Sequence, residues 1–415
     1  MYSFPNGISS MKLKVSTVEQ VISSASLGNN SIQINEEIKN AFNNQPSGTI
    51  FTPSIAVTYS DTGSEILTHT AIPNYVPKPP QPTWTQRGVD IDGEAGNDNS
   101  GYSVSLSADG SIVAIGANSN DGNGTNSGHV RVYQYNATSW VQRGADIDGE
   151  AEYDQSGRSV SLSADGSIVA VGAIGNAGNG DSYSSGHVRV YEYNGTSWVQ
   201  RGADIDGEAA GDQSGWSVSL SADGSIVAIG AIGNGGNGIF SGHVRVYEYN
   251  GTSWVQRGID IDGEASFDQS GYSVSISADG SVVAIDAIGN ASYRGNVRVY
   301  EYNATSWVQR GMDIDGEAAG DLSGWSVSLS ADGSIVAIGA KNNDGNGGDS
   351  GHVRVYAYDG TSWVQRGADI DGEAASDQSG WSVSLSADGS IIAIGAPYND
   401  GNGGNSGHVR VYKYE

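Results

Sequence analysis

Four acidic side chains open a stretch that the chain writes six times, first as "DIDGEAGND", at Asp90, Asp92, Glu94 and Asp98. The later copies place them at Asp146, Asp148, Glu150 and Asp154; Asp204, Asp206, Glu208 and Asp212; and Asp260, Asp262, Glu264 and Asp268. The last two copies read Asp313, Asp315, Glu317 and Asp321, then Asp369, Asp371, Glu373 and Asp377. These are positions 1, 3, 5 and 9 of the stretch. Calcium takes about six to eight oxygen ligands, and carboxylates at alternate positions of a curved loop can converge on one ion. The acids are therefore candidate calcium ligands, and no other cofactor is implied. A competing reading makes them structural or solubilising. Gly93 falls at position 4, whereas calcium loops place their sharp-turn glycine at about position 6. Aspartate also caps turns through its own backbone with no metal present.

Catalytic chemistry has less to work with. No Ser/His/Asp set or carboxylate pair occurs once in a unique setting. Five of the six histidines, His129, His187, His243, His352 and His408, share one address in the repeat, which suits a strand-edge hydrogen-bonding residue. No enzyme activity is expected.

The elements that position these residues follow from the repeat itself. Trp84, Trp140, Trp198, Trp254, Trp307 and Trp363 recur every 53–58 residues. Each unit reads as four short strands. "GYSVSLS" alternates apolar residues against serine, the period of a strand. "IVAIGA" is a short apolar run, "HVRVYQY" alternates again, and "SWVQRGADI" follows it. Calling these A to D, the A–B connection carries Asp109-Gly110, a pair favoured in tight hairpin turns. No unit carries a helical period. The fold expected is all-β, a six-bladed β-propeller of four-stranded antiparallel blades. The last unit lacks D and the segment 84–91 is a D without a blade, so that segment is expected to close the ring as an N-terminal outer strand.

With that pattern, "SGWSVSLSADGSIIAIGAPYNDGNGGNSGHVRVY" resembles the FG-GAP repeats of integrin-α-type propellers, down to its Gly395-Ala396-Pro397. The resemblance spans about residues 84–414 and implies a propeller used as a binding or adhesion module. Two departures matter. The family's Phe-Gly is Ser-Gly here, and its calcium loop between A and B is replaced by "SADGS", too short to wrap an ion. The family's calcium ligands are not carried over.

Alternation puts the B–C and D–A loops at one end of every blade, where function is expected. The B–C loops vary most, and larger groups appear at Tyr183, at Ile239 with Phe240, and at Tyr293 with Arg294. Tyr183, Phe240, Tyr293 and Arg294 are the candidate ligand-binding residues, since interfaces favour aromatics and arginine. Asn-X-Ser/Thr sequons at Asn136, Asn194, Asn250 and Asn303 recur at one turn, as a duplicated turn would.

Residues 1–75 belong to no repeat and read as a small α+β domain. Ser16 and Glu19 make a capping box for a helix over about 17–26. A second helix is expected near 36–42, with strands in "TIFTPSIAVTYSDTGSEILTHTAI". A Pro-rich linker over 76–83 leads to the propeller at 84–415. The formal charge of −27 argues against nucleic acid as partner. No apolar run is long enough to span a membrane, and the N-terminus lacks the apolar core of a secretory signal. Together these suggest a surface-displayed binding module on a virion or at a cell surface. Residues 1–75 would anchor it to a larger assembly and the propeller would face a host glycan or protein. An extracellular coat or filament protein is the alternative, and a glycan-active enzyme the most remote.

Overall fold

Serine alternating with Val and Leu, and the apolar run that follows, build the inner strands of each unit in this computed structural model. The structure describes residues 86–177, 184–401 and 403–415, together with the backbone of four strands before residue 66. The chain divides into two units, residues 1–86 and 87–415.

The second unit is a six-bladed β-propeller, nearly all β. In blade two, strand A is Ser156–Leu162, B is Ile168–Ala173 and C is His187–Tyr193. They pair antiparallel in chain order. The outer strand D comes in two pieces, Trp198–Gln200 and Ile205–Asp206, both paired to C. The split explains why the acidic stretch begins as strand: His187 stands opposite Asp206 in the register. Blades one to five share this plan. Residues Asn290–Tyr293 form one left-handed turn in place of a B–C loop, with φ of 49°, 64° and 62° at Ala291, Ser292 and Tyr293.

Five apolar clusters lie between consecutive blades. In the first, Ile112, Val130 and Val132 of blade one meet Val160, Leu162, Val169 and Val171 of blade two. Backbone bonds stitch the same interfaces, because Ala108 N–H donates to Ala164 O and Ala164 N–H to Ala222 O, each at 2.8 Å. Ser105 Oγ likewise accepts from Leu162 N–H at 2.9 Å.

The expected closing strand over 84–91 requires correction. Trp84 and Thr85 lie outside the described residues, and residues 86–91 form no strand. The last sheet has three strands, Ser382–Leu385, Ile391–Ala396 and His408–Lys413. Arg87 packs on blade one, its guanidinium 4.2 Å from the Tyr135 ring and its carbonyl accepting from Trp140 Nε1 at 2.6 Å. Every internal copy of that arginine makes the same reach to the blade after it, and residue 87 obeys the repeat. Among the described residues no apolar cluster joins blade six to blade one, so Val104 of blade one is 64% exposed and Val409 of blade six 68%, whereas their counterparts Val160 and Val353 are 9% and 0% exposed.

The first unit shows a four-stranded sheet with strands Val18–Ser23, Ile8–Val15, Ser54–Tyr59 and Ser64–Glu65 in spatial order. The helix expected over 17–26 is therefore a strand at Val18–Ser23. Its ladder to Ile8–Val15 runs from Val15 opposite Val18 to Ser10 opposite Ser23. β-Branched Val18, Val21 and Ile22 suit a strand better than a helix, and long-range pairing overrides the local capping signal. Within "TIFTPSIAVTYSDTGSEILTHTAI" strands appear at Ser54–Tyr59 and Ser64–Glu65. The helix expected near 36–42 lies outside the described residues.

Candidate functional site

The four acids of each stretch do not gather around one point; they divide into three structural roles. Position 9 is buried in its own turn. Asp212, 3% exposed, accepts from Ala209 N–H at 3.1 Å and from Asn234 Nδ2 at 3.0 Å. Asp98, Asp154, Asp321 and Asp377 repeat both contacts with Asn120, Asn176, Asn343 and Asn399, while Asp268 keeps the backbone bond to Ala265 N–H. This is the aspartate turn cap of the competing reading.

Position 3 supplies a backbone acceptor. The arginine two residues into strand C donates to its carbonyl, as Arg189 Nη2 does to Asp148 O at 2.6 Å. The same bond recurs at Arg131–Asp92, Arg245–Asp206, Arg298–Asp262, Arg354–Asp315 and Arg410–Asp371. Asp206 and Asp262 have raised pKa values, from burial first and then from the like charge of Asp204 and Asp260.

Positions 1 and 5 converge, but from neighbouring copies and with a histidine between them. His187 Nδ1 lies 4.0 Å from Glu150 Oε2 and 3.7 Å from Asp204 Oδ2. Equivalent groups are Glu94–His129–Asp146, Glu208–His243–Asp260 and Glu317–His352–Asp369. In blade four Asn296 stands where the histidine would be and donates to Asp313 Oδ2 at 3.1 Å. In blade six His408 faces Glu373 at 3.5 Å. Three of the histidines are not the hydrogen-bonding residues expected: neither ring nitrogen of His187, His243 or His352 has a hydrogen-bond partner, and each side chain is 1% exposed. Burial, then the positive charge of Arg189 or Arg245, brings His187 and His243 down to about 4. They are neutral imidazoles at neutral pH, and these acidic and histidine groups could hold a metal ion.

The loop end also carries the aromatics. Phe240 is 46% exposed, and its ring lies 6.2 Å from that of Phe267, itself 55% exposed. Two backbone bonds set the pair side by side, Phe267 N–H to Ile239 O at 2.8 Å and Gln269 N–H to Phe240 O at 3.0 Å. Tyr293 is exposed one blade further on, and Arg294 pairs with Asp315 Oδ1 at 2.8 Å. Tyr183 lies outside the described residues. Phe267 and its counterpart Tyr153 were missed by sequence reasoning. Both occupy position 8 of the acidic stretch, where φ is positive in every copy: Asn97, Tyr153, Gly211, Phe267, Gly320 and Ser376. Glycine and asparagine suit that backbone, and a bulky aromatic there is strained. The signal was a large ring at a position where the other copies write Gly, Asn or Ser.

Arg158 stands where the other copies carry Tyr102, Trp216, Tyr272, Trp325 and Trp381. The residues at this address in successive blades stack: Trp216 on Tyr272 at 5.4 Å, Tyr272 on Trp325 at 4.7 Å, and Trp325 on Trp381 at 5.2 Å. Arg158 continues the column as a cation between rings, 4.8 Å from Tyr102 and 4.0 Å from Trp216. The sequons at the C–D turn are caps. Asn194 Oδ1 accepts from Thr196 N–H and Ser197 N–H at 3.0 Å each, and Asp359 does the same where no sequon exists.

A family model described as the FG-GAP repeat matches residues 370–412. No curated protein matches the sequence. Among solved structures the chain is similar to the hydrazine synthase of Kuenenia stuttgartiensis, at 13% identity over 80% of each chain with a TM-score of 0.52. It is also similar to a protein described as a putative 6-phosphogluconolactonase from Bacteroides uniformis, at 11% identity over 87% of each chain with a TM-score of 0.51. At these identities the likeness is one of fold.

Proposed function

We propose that this propeller of FG-GAP repeats is a non-enzymatic binding or adhesion module displayed at a surface, and that its B–C and D–A loops make the contact. The observation that carries the reading is the Phe240–Phe267 pair. Both residues hold positive φ, 52° and 69°, and both leave their rings in solvent. Strain of this kind costs about 1–3 kcal/mol per residue and persists where function uses it. Two exposed rings with Ile239 beside them offer an apolar, stackable edge of the sort recognition surfaces use. A host-surface glycan or protein is the partner this chemistry suits.

The finer reading is a virion or phage surface component, a fibre or decoration protein, held to a larger assembly through residues 1–75. Deleting those residues and measuring incorporation into particles tests it; incorporation at the full-length level ends the attachment reading. The FG-GAP match supports display outside the cell. Among the described residues no helix is long and apolar enough to cross a membrane. An extracellular coat or filament protein is the second reading, and the exposed apolar Val104 and Leu106 of blade one favour it as a contact surface. Binding of the full chain to cells and to immobilised glycans, with and without the phenylalanine pair, separates the two. A coat protein would lose nothing with the rings.

A further inference from the structure

We propose that the four complete Glu–His–Asp groups between consecutive copies are zinc-class divalent metal sites, each holding one ion through one imidazole and two carboxylates. This departs from a calcium loop in its ligand set, in its origin and in its number. Each site takes position 5 of one acidic stretch, the first residue of the following strand C and position 1 of the next stretch.

Three features of the geometry carry the inference. First, in three of the four groups the histidine is a buried polar group with nothing to bond. His187, His243 and His352 are 1% exposed, and each turns its Nδ1 toward two carboxylate oxygens 3.7–4.0 Å away. Those distances are too long for hydrogen bonds. Two ligand atoms each about 2.0–2.2 Å from a tetrahedral ion stand roughly 3.3–3.5 Å apart, so an ion would need a contraction of a few tenths of an ångström.

Second, each carboxylate is divided between a holder and the histidine. Glu150 Oε1 faces Arg189 Nη1 at 3.5 Å, and its Oε2 faces His187. Asp204 Oδ1 accepts from Gln200 Nε2 at 2.6 Å, and its Oδ2 faces His187. The same division, oxygen for oxygen, recurs at Glu208 and Asp260 with Arg245 and Gln256. Glu317 and Asp369 repeat it with Arg354 and Gln365. Partners that fix the orientation of ligand carboxylates in this way are the usual outer shell of a metal site. The holder arginine also bonds the carbonyl at position 3, so the loop carrying the glutamate is tethered where the ligand must stand.

Third, the chain contains its own control. In blade four Asn296 replaces the histidine and satisfies Asp313 Oδ2 directly at 3.1 Å, although Arg298 and Gln309 still hold Glu264 and Asp313. Imidazole with carboxylate oxygens suits zinc and its neighbours, whereas calcium prefers oxygen alone.

The test is metal binding by the full-length chain. Dialysis against Zn²⁺ followed by elemental analysis should give about four ions per chain, the number of complete groups among the described residues, and Co²⁺ should give the visible absorption of a nitrogen-ligated, low-coordinate ion. His187→Gln should remove one ion and leave the other three. Asn296→His should add one, a gain that no misfolded variant would mimic. Failure to retain zinc, a stoichiometry that ignores His187→Gln and Asn296→His, or calcium uptake indifferent to the histidines would each overturn the proposal.

Discussion

The indole Nε1 of Trp198 donates to the backbone carbonyl of Arg143, 2.6 Å away and one blade earlier. The guanidinium of Arg143 crosses in the same direction and lies 4.2 Å from the Tyr193 ring. An outer strand is therefore fastened to the blade after it by one bond and one cation–π contact. The bond recurs at Trp140–Arg87, Trp254–Arg201, Trp307–Arg257 and Trp363–Arg310.

Trp254→Phe should test that fastening. The aromatic contact with Tyr249 at 5.2 Å can persist, while the Arg201 carbonyl loses its donor. The expected loss is about 1–3 kcal/mol, the cost of a polar group left without its partner, read by urea unfolding. A variant as stable as the parent would show that the bond contributes nothing to cohesion between blades.

Position 8 of the acidic stretch gives an opposite expectation. Phe267→Gly places there the residue that Gly211 and Gly320 already supply. Stability should hold or rise by up to about 1 kcal/mol as backbone strain is relieved, while surface binding falls. A clear loss of stability would mark Phe267 as a packing residue and remove the argument that its strain serves recognition.

The turn cap at position 9 is a structural prediction. Asp212→Ala takes their acceptor from the buried Asn234 Nδ2 and the part-buried Ala209 N–H. A cost of roughly 2 kcal/mol is expected, with zinc uptake unchanged in the folded protein. Thermal unfolding beside elemental analysis checks both; lost zinc in a folded variant would return this acid to the ligand set.

Asp286 replaces the glycine found at Gly116, Gly172, Gly230, Gly339 and Gly395. It is fully buried, accepts from Ser273 N–H at 2.7 Å, and burial raises its pKa well above the carboxylate range. The folded state thus binds a proton that the unfolded chain has released above about pH 4. Stability from this group is present below that pH and is lost as pH rises through the folded pKa. Asp286→Gly should therefore be more stable than the parent at pH 7, by about 1–3 kcal/mol for an unsatisfied buried group, with the gap shrinking toward pH 4. A gap that widens on acidification would contradict the sign.

Strand period, Asp-Gly turns and the repeat of Trp140 made the propeller and its blade count legible in the sequence. Which acids meet was not legible. Glu150 and Asp204 are 54 residues apart and come together only through the register that sets His187 opposite Asp206 and through the tether of Arg189 to Asp148 O. Spacing within one stretch carries no trace of that. The recurring histidine address was visible, but its burial without a partner is a property of packing. The strand at Val18–Ser23 was misread because a capping box is local and its partner, Ile8–Val15, supplies the deciding bonds. Arg158 looked like an interruption because stacking across blades is absent from any single repeat.

The central claim is recognition through the loop edge, and one comparison addresses it most directly. Binding of the full chain to intact cells and to an array of immobilised glycans should be measured beside the Phe240→Ala/Phe267→Ala double variant. The account predicts a folded variant, with an unfolding temperature near the parent's, whose surface binding falls at least about tenfold, the equivalent of 1.4 kcal/mol. Undiminished binding by the folded double variant would contradict it.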